Sequence, residues 1–337
     1  MLKLPKQIKI VEKFKFFIIA PIAIILAGIF FMIFMGMNIG VDFAGGAKVE
    51  VEITGLASDK VSEAKTEIIS IVDKYIAEND VGFSRPTDVQ TSTVNGSVTY
   101  EITLQLKDNA NAGTETNVLT SIQGSEDSLS AALEKGMTEY LGTDDGLAVT
   151  ANTIGATASA DLIRAAILAL SVAIVVMLIY IVIRFTFASA LASVCALLHD
   201  VLIMIALTTI FRIPVNSTFI AAVITIVGYS INATIIIFDR IREERKKTTN
   251  DDLSDAEIAN MSITKTLNRT ILTTLTTLVM VVMLAIFSVT TIQEFIIPII
   301  FGLIAGTFSS VFLASSFWVF FRSIGKKIKS KRESKKA

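Results

Sequence analysis

Two ionisable residues stand side by side where an apolar chain rarely tolerates either. His199 and Asp200 lie near the centre of 185–211, a stretch otherwise free of charge. An ionisable side chain at such a position costs about 2.5–3.5 kcal/mol in a bilayer. It is kept where it has a partner, a water-filled cavity or a proton to exchange. The pair therefore has two readings, a proton-responsive switch or a hydrogen-bonded clasp between helices. A second polar group follows in the next apolar run: Gly228, Tyr229, Ser230, Asn232 and Thr234. Ser230 and Thr234 are spaced i, i+4 and share a helix face, with Asn232 on another. Small and polar residues at this density suit close helix packing with interhelical hydrogen bonds, or a polar path for ions. Asp239 and Arg240 then open a mixed-charge run that includes Arg242 and Glu243. Its spacing continues the helix into water, and the run reads either as a solvated face or, at the boundary, as Asp239 and Arg240 pairing inside a bundle.

Other chemistry lacks the residues it needs. The chain has one histidine and one cysteine, Cys195, so no metal-ligand set, disulfide or nucleophile–base pair is expected. Gly45-Gly46 lacks the context of a phosphate-binding loop and reads as a turn. Gly302-x-x-x-Gly306 permits tight helix approach. Thr270, Thr273, Thr274, Thr276 and Thr277 open another apolar run with polar groups on more than one face. The sequence thus predicts no enzyme, no cofactor and no metal site.

The elements that must position these residues are membrane spans. Of 337 residues, 52% are hydrophobic and only 18% charged, and the mean hydropathy is +0.65. Soluble domains carry about 25% charged residues. Six runs reach spanning length, placed at 16–37, 161–183, 187–211, 214–238, 270–291 and 295–321. The first is longer than a signal-peptide core, has no small-residue cleavage site after it, and is expected to be an uncleaved anchor. The net charge of −1 and the pI of about 6.0 argue against nucleic-acid binding. Lys and Arg are segregated. With both termini inside, 21 of the 30 fall in the N-tail 1–15, the Arg184 turn, the loop 239–269 and the tail 322–337. The positive-inside rule then places both termini in the cytoplasm and 38–160 outside. The basic tail is read as a topology determinant that also contacts anionic lipid.

Segment 38–160 has a soluble character and a net charge of −12, from 19 acidic and 7 basic residues. Strands are predicted over 47–56, 87–94, 97–106 and 146–154, and helices over 59–79 and 126–141. Asn95-Gly96 supplies a hairpin turn, and a polar stretch covers 107–124. The order β-α-β-β-α-β is that of ferredoxin-like domains. The fold class is an α-helical polytopic membrane protein of six transmembrane helices, with an inserted α+β ferredoxin-like extracytoplasmic domain.

Several of these segments together resemble a known family. Gly40-Val41-Asp42-Phe43-Ala44-Gly45-Gly46 is similar to the G-x-D-F-x-G-G signature of SecF-type members of the SecD/SecF protein-export family. Leu198-His199-Asp200 resembles the family's His-Asp step. Gly228-Tyr229-Ser230-Ile231-Asn232, continuing through Phe238-Asp239-Arg240-Ile241-Arg242-Glu243, resembles its most specific motif, and Leu267-Asn268-Arg269-Thr270 the segment that opens the fifth span. The resemblance covers the chain from about residue 38 to the end of the sixth span. It implies a non-enzymatic, multi-pass subunit of the bacterial cell membrane, in the resistance-nodulation-division superfamily. The implied partners are a SecD-like subunit, a SecYEG-type channel, a YajC-like subunit and unfolded preprotein, and the implied energy source is the proton-motive force. Two positions depart from the pattern. Ala233 stands where the family has Asp after Asn232, leaving Asp200 as the carboxylate near mid-membrane, and Ala156 stands where the family has Pro. The residues also admit half of a lipid or small-molecule exporter of the same superfamily, and a passive channel-assembly factor without proton coupling.

Overall fold

The computed structural model describes residues 8–79, 89–94, 96–105, 121–122, 128–247 and 253–333. A short helical lead-in, Val11–Lys13 and Phe14–Phe17, precedes α1 (Ile19–Met35). One helical turn, Val41–Ala44, leads into β1 (Gly46–Thr54). The small domain continues with α2 (Val61–Asn79), β2 (Val89–Val94), β3 (Ser97–Gln105), α3 (Leu129–Leu141) and β4 (Leu147–Ile154). The chain then returns through α4 (Ala156–Arg184), α5 (Phe187–Ile210), α6 (Ser217–Lys247), α7 (Asp255–Phe287) and α8 (Thr290–Phe308). A π-helical segment, Ser309–Ala314, joins α8 to α9 (Ser315–Glu333).

The four strands form an antiparallel sheet in the order β2-β3-β1-β4. Alternation along β1 points Ala47, Val49, Val51 and Ile53 inward, beside Tyr100, Ile102 and Leu104 of β3. Ala64, Ile68 and Val72 of α2 and Leu129, Leu133 and Met137 of α3 close this core from one side. Helical and strand periods therefore deliver apolar faces to one two-layer core. Ser128 caps α3 by accepting from the Ala131 amide at 3.4 Å, and Gly142 ends it in the left-handed conformation at φ 73°. The Asn95 half of the hairpin turn, and almost all of 107–124, lie outside the described residues, while Gly96 has φ 84°.

Among the described residues, six helices are long and apolar enough to cross a membrane. They divide by burial. Of the most apolar window of each, 6–11% is buried in α1, α4 and α7, against 50–61% in α5, α6 and the span formed by α8 and α9. The latter three are the centre of the bundle, and the others its periphery. Gly28 of α1 meets α5 so closely that an added Cβ would stand 2.4 Å from the Ala206 Cβ. The described part of 239–269 is helical except at 253–254. α6 runs on to Lys247, and α7 starts at a capping box in which the Ser254 Oγ accepts from the Glu257 amide and Glu257 reaches back to the Ser254 amide. The Ser254-x-x-Glu257 pattern is the local cause of this early start.

Candidate functional site

The bundle centre places the His199–Asp200 step against α6. Asp200 is 1% exposed. One of its carboxylate oxygens lies 2.8 Å from His199 Nδ1, and the other accepts from Ser230 Oγ at 2.5 Å. His199 stacks near Phe308, with ring centroids 6.2 Å apart, and its Nε2 is buried without a hydrogen-bond partner among the described residues. A carboxylate taking two donors in a low-dielectric interior is held on both sides. Protonation would convert one of its accepting oxygens into a donor, so one of the two contacts would have to reverse, with the Ser230 hydroxyl or His199 Nδ1 accepting instead.

Small residues on α8 make this approach geometrically available. A Cβ on Gly306 would lie 3.0 Å from the Ser230 Cβ, and one on Gly302 only 2.5 Å from Ile226. One turn along α6, Thr234 Oγ1 meets Ser310 Oγ at 3.0 Å, and Ser310 also donates to the Gly306 carbonyl at 2.6 Å. Ser310 lies in the π-helical segment, where the widened backbone offers carbonyls to side-chain hydroxyls. Thr274 and Thr307 are 2.9 Å apart across α7 and α8. Asn232 is exposed and does not join Asp200, Ala233 is buried, and Gly228 faces open space with nothing within 4 Å of an added Cβ.

A second polar cluster ties the small domain to the bundle. The Asp42 carboxylate accepts from both the amide and the hydroxyl of Ser217, capping the start of α6. Asn216 accepts from the Phe219 amide at 3.1 Å and donates to Glu294 of α8 at 2.7 Å. Lys48 of β1 pairs with Glu101 at 2.7 Å and reaches Thr291 of α8 at 3.3 Å. Glu50 and Glu101 face each other in register across β1 and β3, and Lys48 stands between them. These groups surround a cavity of about 130 Å³. The signature glycines serve the backbone here: Gly45 (φ 73°) ends the one-turn helix, and any Cβ on Gly46 would strike the Leu104 carbonyl at 2.1 Å. Phe43 instead lines an apolar groove with Met37 and Ile167. Glu294, Asn216, Lys48 and Glu101 do not stand out in the sequence. The signal was a lone carboxylate between two long apolar runs.

At the opposite end of the bundle, Asp239 pairs with Arg184 at 3.4 Å rather than with Arg240. Arg240 pairs with Glu243 (2.6 Å) and with the buried Glu244 (2.7 Å), which also holds Lys265 of α7 at 2.7 Å. Arg269 lines the adjoining groove between α4, α6 and α7, and Arg242 a separate pocket beside Trp318. No cluster of His, Cys, Asp and Glu fit to hold a metal occurs among the described residues.

A six-span bundle with a carboxylate at its core and one α/β domain inserted after the first span defines a class of multi-pass membrane protein. Residues 135–323 match the family described as protein export membrane protein SecD/SecF, C-terminal. The SecF protein translocase subunit of Sebaldella termitidis is 31% identical over 98% of this chain and 97% of its own length. That of Rhodobacter capsulatus is 31% identical over 89% of this chain and 85% of its own. The SecDF subunit of Bacillus subtilis is 31% identical over 91% of this chain, which spans only 37% of that longer protein. The crystal structure of SecDF from Thermus thermophilus, described as a translocon-associated membrane protein, has the same fold, with a TM-score of 0.71 over 96% of this chain and 40% of its own, at 24% identity. The chain belongs to the SecD/SecF family of protein-export membrane proteins, and its full-length relatives are protein translocase subunits.

Proposed function

We propose that this chain works as the SecF-type subunit of a protein-export machinery, beside a SecD-like partner, and promotes late preprotein translocation at the expense of the proton-motive force. The observation that carries this reading is the buried His199–Asp200–Ser230 contact between α5 and α6. In the charged form Asp200 accepts from both neighbours. Taking up a proton turns one of its oxygens into a donor, so one of the two contacts reverses direction and both lose their charge assistance. Hydrogen bonds to charged groups contribute about 1.5–3 kcal/mol, and one charge crossing 100 mV gains about 2.3 kcal/mol. The loss of charge assistance and the energy of one crossing charge are of the same order, so proton passage biases the packing of α5 on α6. Ser230, Thr234 and Ser310 extend the polar contact along α6, whereas Asn232 and Arg240 act outside it.

We place both termini in the cytoplasm, with the domain outside and a SecYEG-type channel and YajC-like subunit as further neighbours. The distribution of Lys and Arg supports this orientation. The sheet order β2-β3-β1-β4 between two helices on one face supports a ferredoxin-like domain. Through Asp42, which accepts from Ser217, that domain is fastened to the start of α6, the helix that carries Ser230. A shift of α6 is thereby passed to the domain that faces the preprotein.

The test is pulse-chase export of a secreted reporter in cells whose sole copy carries Asp200→Asn, matched in membrane abundance to wild type. Export slowed to the rate of a deletion strain, and no longer responsive to the proton gradient, is expected. Wild-type kinetics in a background where deletion does slow export would remove Asp200 from the mechanism and favour passive assembly.

A further inference from the structure

The end of the bundle opposite the α/β domain holds a pocket of about 440 Å³ between α5, α6 and α9. Its wall carries four cations, Arg184, Arg242, Arg245 and Lys246, and no carboxylate, and its floor is aromatic, with Phe185 and the buried Trp318. The nearby acidic side chains are already engaged elsewhere. Glu243 is held by Arg240 and Lys247, and Glu244 by Arg240 and Lys265. Asp239 is shared with Arg184 alone, at 3.4 Å. Among the described residues, Arg242, Arg245 and Lys246 pair with no carboxylate. The amino end of α5, capped by Thr186, opens on the same pocket and adds its partial positive charge.

We infer that this pocket binds the head group of an anionic phospholipid. Guanidinium groups suit phosphate oxygens because their paired N–H donors match them in geometry. The pocket has room for a phosphate and the glycerol it esterifies. Its position at the end of the spans sets it at head-group depth, where tryptophan is favoured. The surface beside it is apolar and outward-facing: Ile183 is 81% and Phe187 71% exposed. Acyl chains attached to the bound phosphate would lie on that surface, which a free phosphate has no use for. Basic pockets of this kind between spanning helices take anionic head groups, each cation near the membrane surface adding about 1 kcal/mol.

Trp318 is the only tryptophan of the chain, so its fluorescence reports the pocket directly. The full-length chain in neutral detergent is titrated with phosphatidylglycerol brominated on its acyl chains, and separately with the matching phosphatidylcholine. The expected result is quenching by the anionic lipid at far lower mole fraction, with the preference falling about fivefold for each cation removed and vanishing in Arg242→Gln/Arg245→Gln/Lys246→Gln. Equal quenching by the two lipids, or an undiminished preference in the triple variant, overturns the inference. Inorganic phosphate is the competing arm. If it relieves quenching at the concentration where the lipid acts, the site belongs to a free anion and the lipid assignment fails. Should the triple variant not fold, Arg242→Gln and Arg245→Gln singly are each expected to lower the preference about fivefold, and an unchanged preference in both overturns the inference.

Discussion

Asp200 spends both of its oxygens on neighbours, and the chemistry of the bundle follows from that. A residue with a comparable position but a different task is Tyr100, whose ring is fully buried in the small domain and whose hydroxyl donates to the Val61 carbonyl at 2.8 Å. Burial, with a smaller contribution from Tyr140, pushes its phenol up to about 12. An unfolded tyrosine titrates near 10. The folded domain therefore keeps its proton where the unfolded chain has begun to lose it, and the stability this contributes is full below pH 10 and disappears as pH rises through about 12. Pulse proteolysis of the full-length chain across that window is expected to show the domain becoming susceptible, with a shallower pH slope in Tyr100→Phe. At this scale the sequence was informative wherever spacing alone decides. Ser230 reaches Asp200 and Thr234 reaches Ser310, and Gly302 and Gly306 lie close against α6. It was silent on Glu294, because a carboxylate between two apolar runs looks like the edge of a span until Asn216 is seen beside it.

Among the elements, α6 has the most to hold. Its start is fixed by Asn216 and Asp42, its middle by Asp200 and Ser310, and its end by Lys265 through Glu244. Asn216→Ala removes the cap, at about 0.5–2 kcal/mol, and also takes from the buried Glu294 the donor that Asn216 supplies, a further cost of about 1–3 kcal/mol. Asn216→Ser restores the cap only. Thermal unfolding in detergent is expected to rank wild type above the Ser variant and the Ser variant above Ala. The helices were legible as apolar runs, but their ends were not. The capping box at Ser254 and Glu257 begins α7 well before its apolar run, because a helix end is set by local hydrogen bonding and not by hydropathy. The strands were legible for the opposite reason: alternation in β1 records directly which side chains reach the core.

At the scale of the whole molecule, the two ends differ in charge and in structure, and the proposed orientation can be read by labelling. With Cys195→Ala as background, a cysteine at the exposed Lys135 of α3 is expected to react with an impermeant maleimide on intact cells, and one at Lys327 only after permeabilisation. The reverse pattern would invert the topology. How the spans pack was not legible, since apolar runs of similar length became central in α5 and peripheral in α4. That division has a further outcome for the life of the chain in a cell. Asn232 shares a face of α6 with Ile235 and Ile236, which line the groove between α4 and α7. An uncovered amide on that outward face is costly in hydrocarbon until a partner covers it, so the lone chain is expected to be less stable in the bilayer than the assembled one. The half-life of the chain should accordingly follow the dosage of its neighbour: made in excess, the wild-type chain is cleared quickly in a pulse-chase, and Asn232→Leu survives longer.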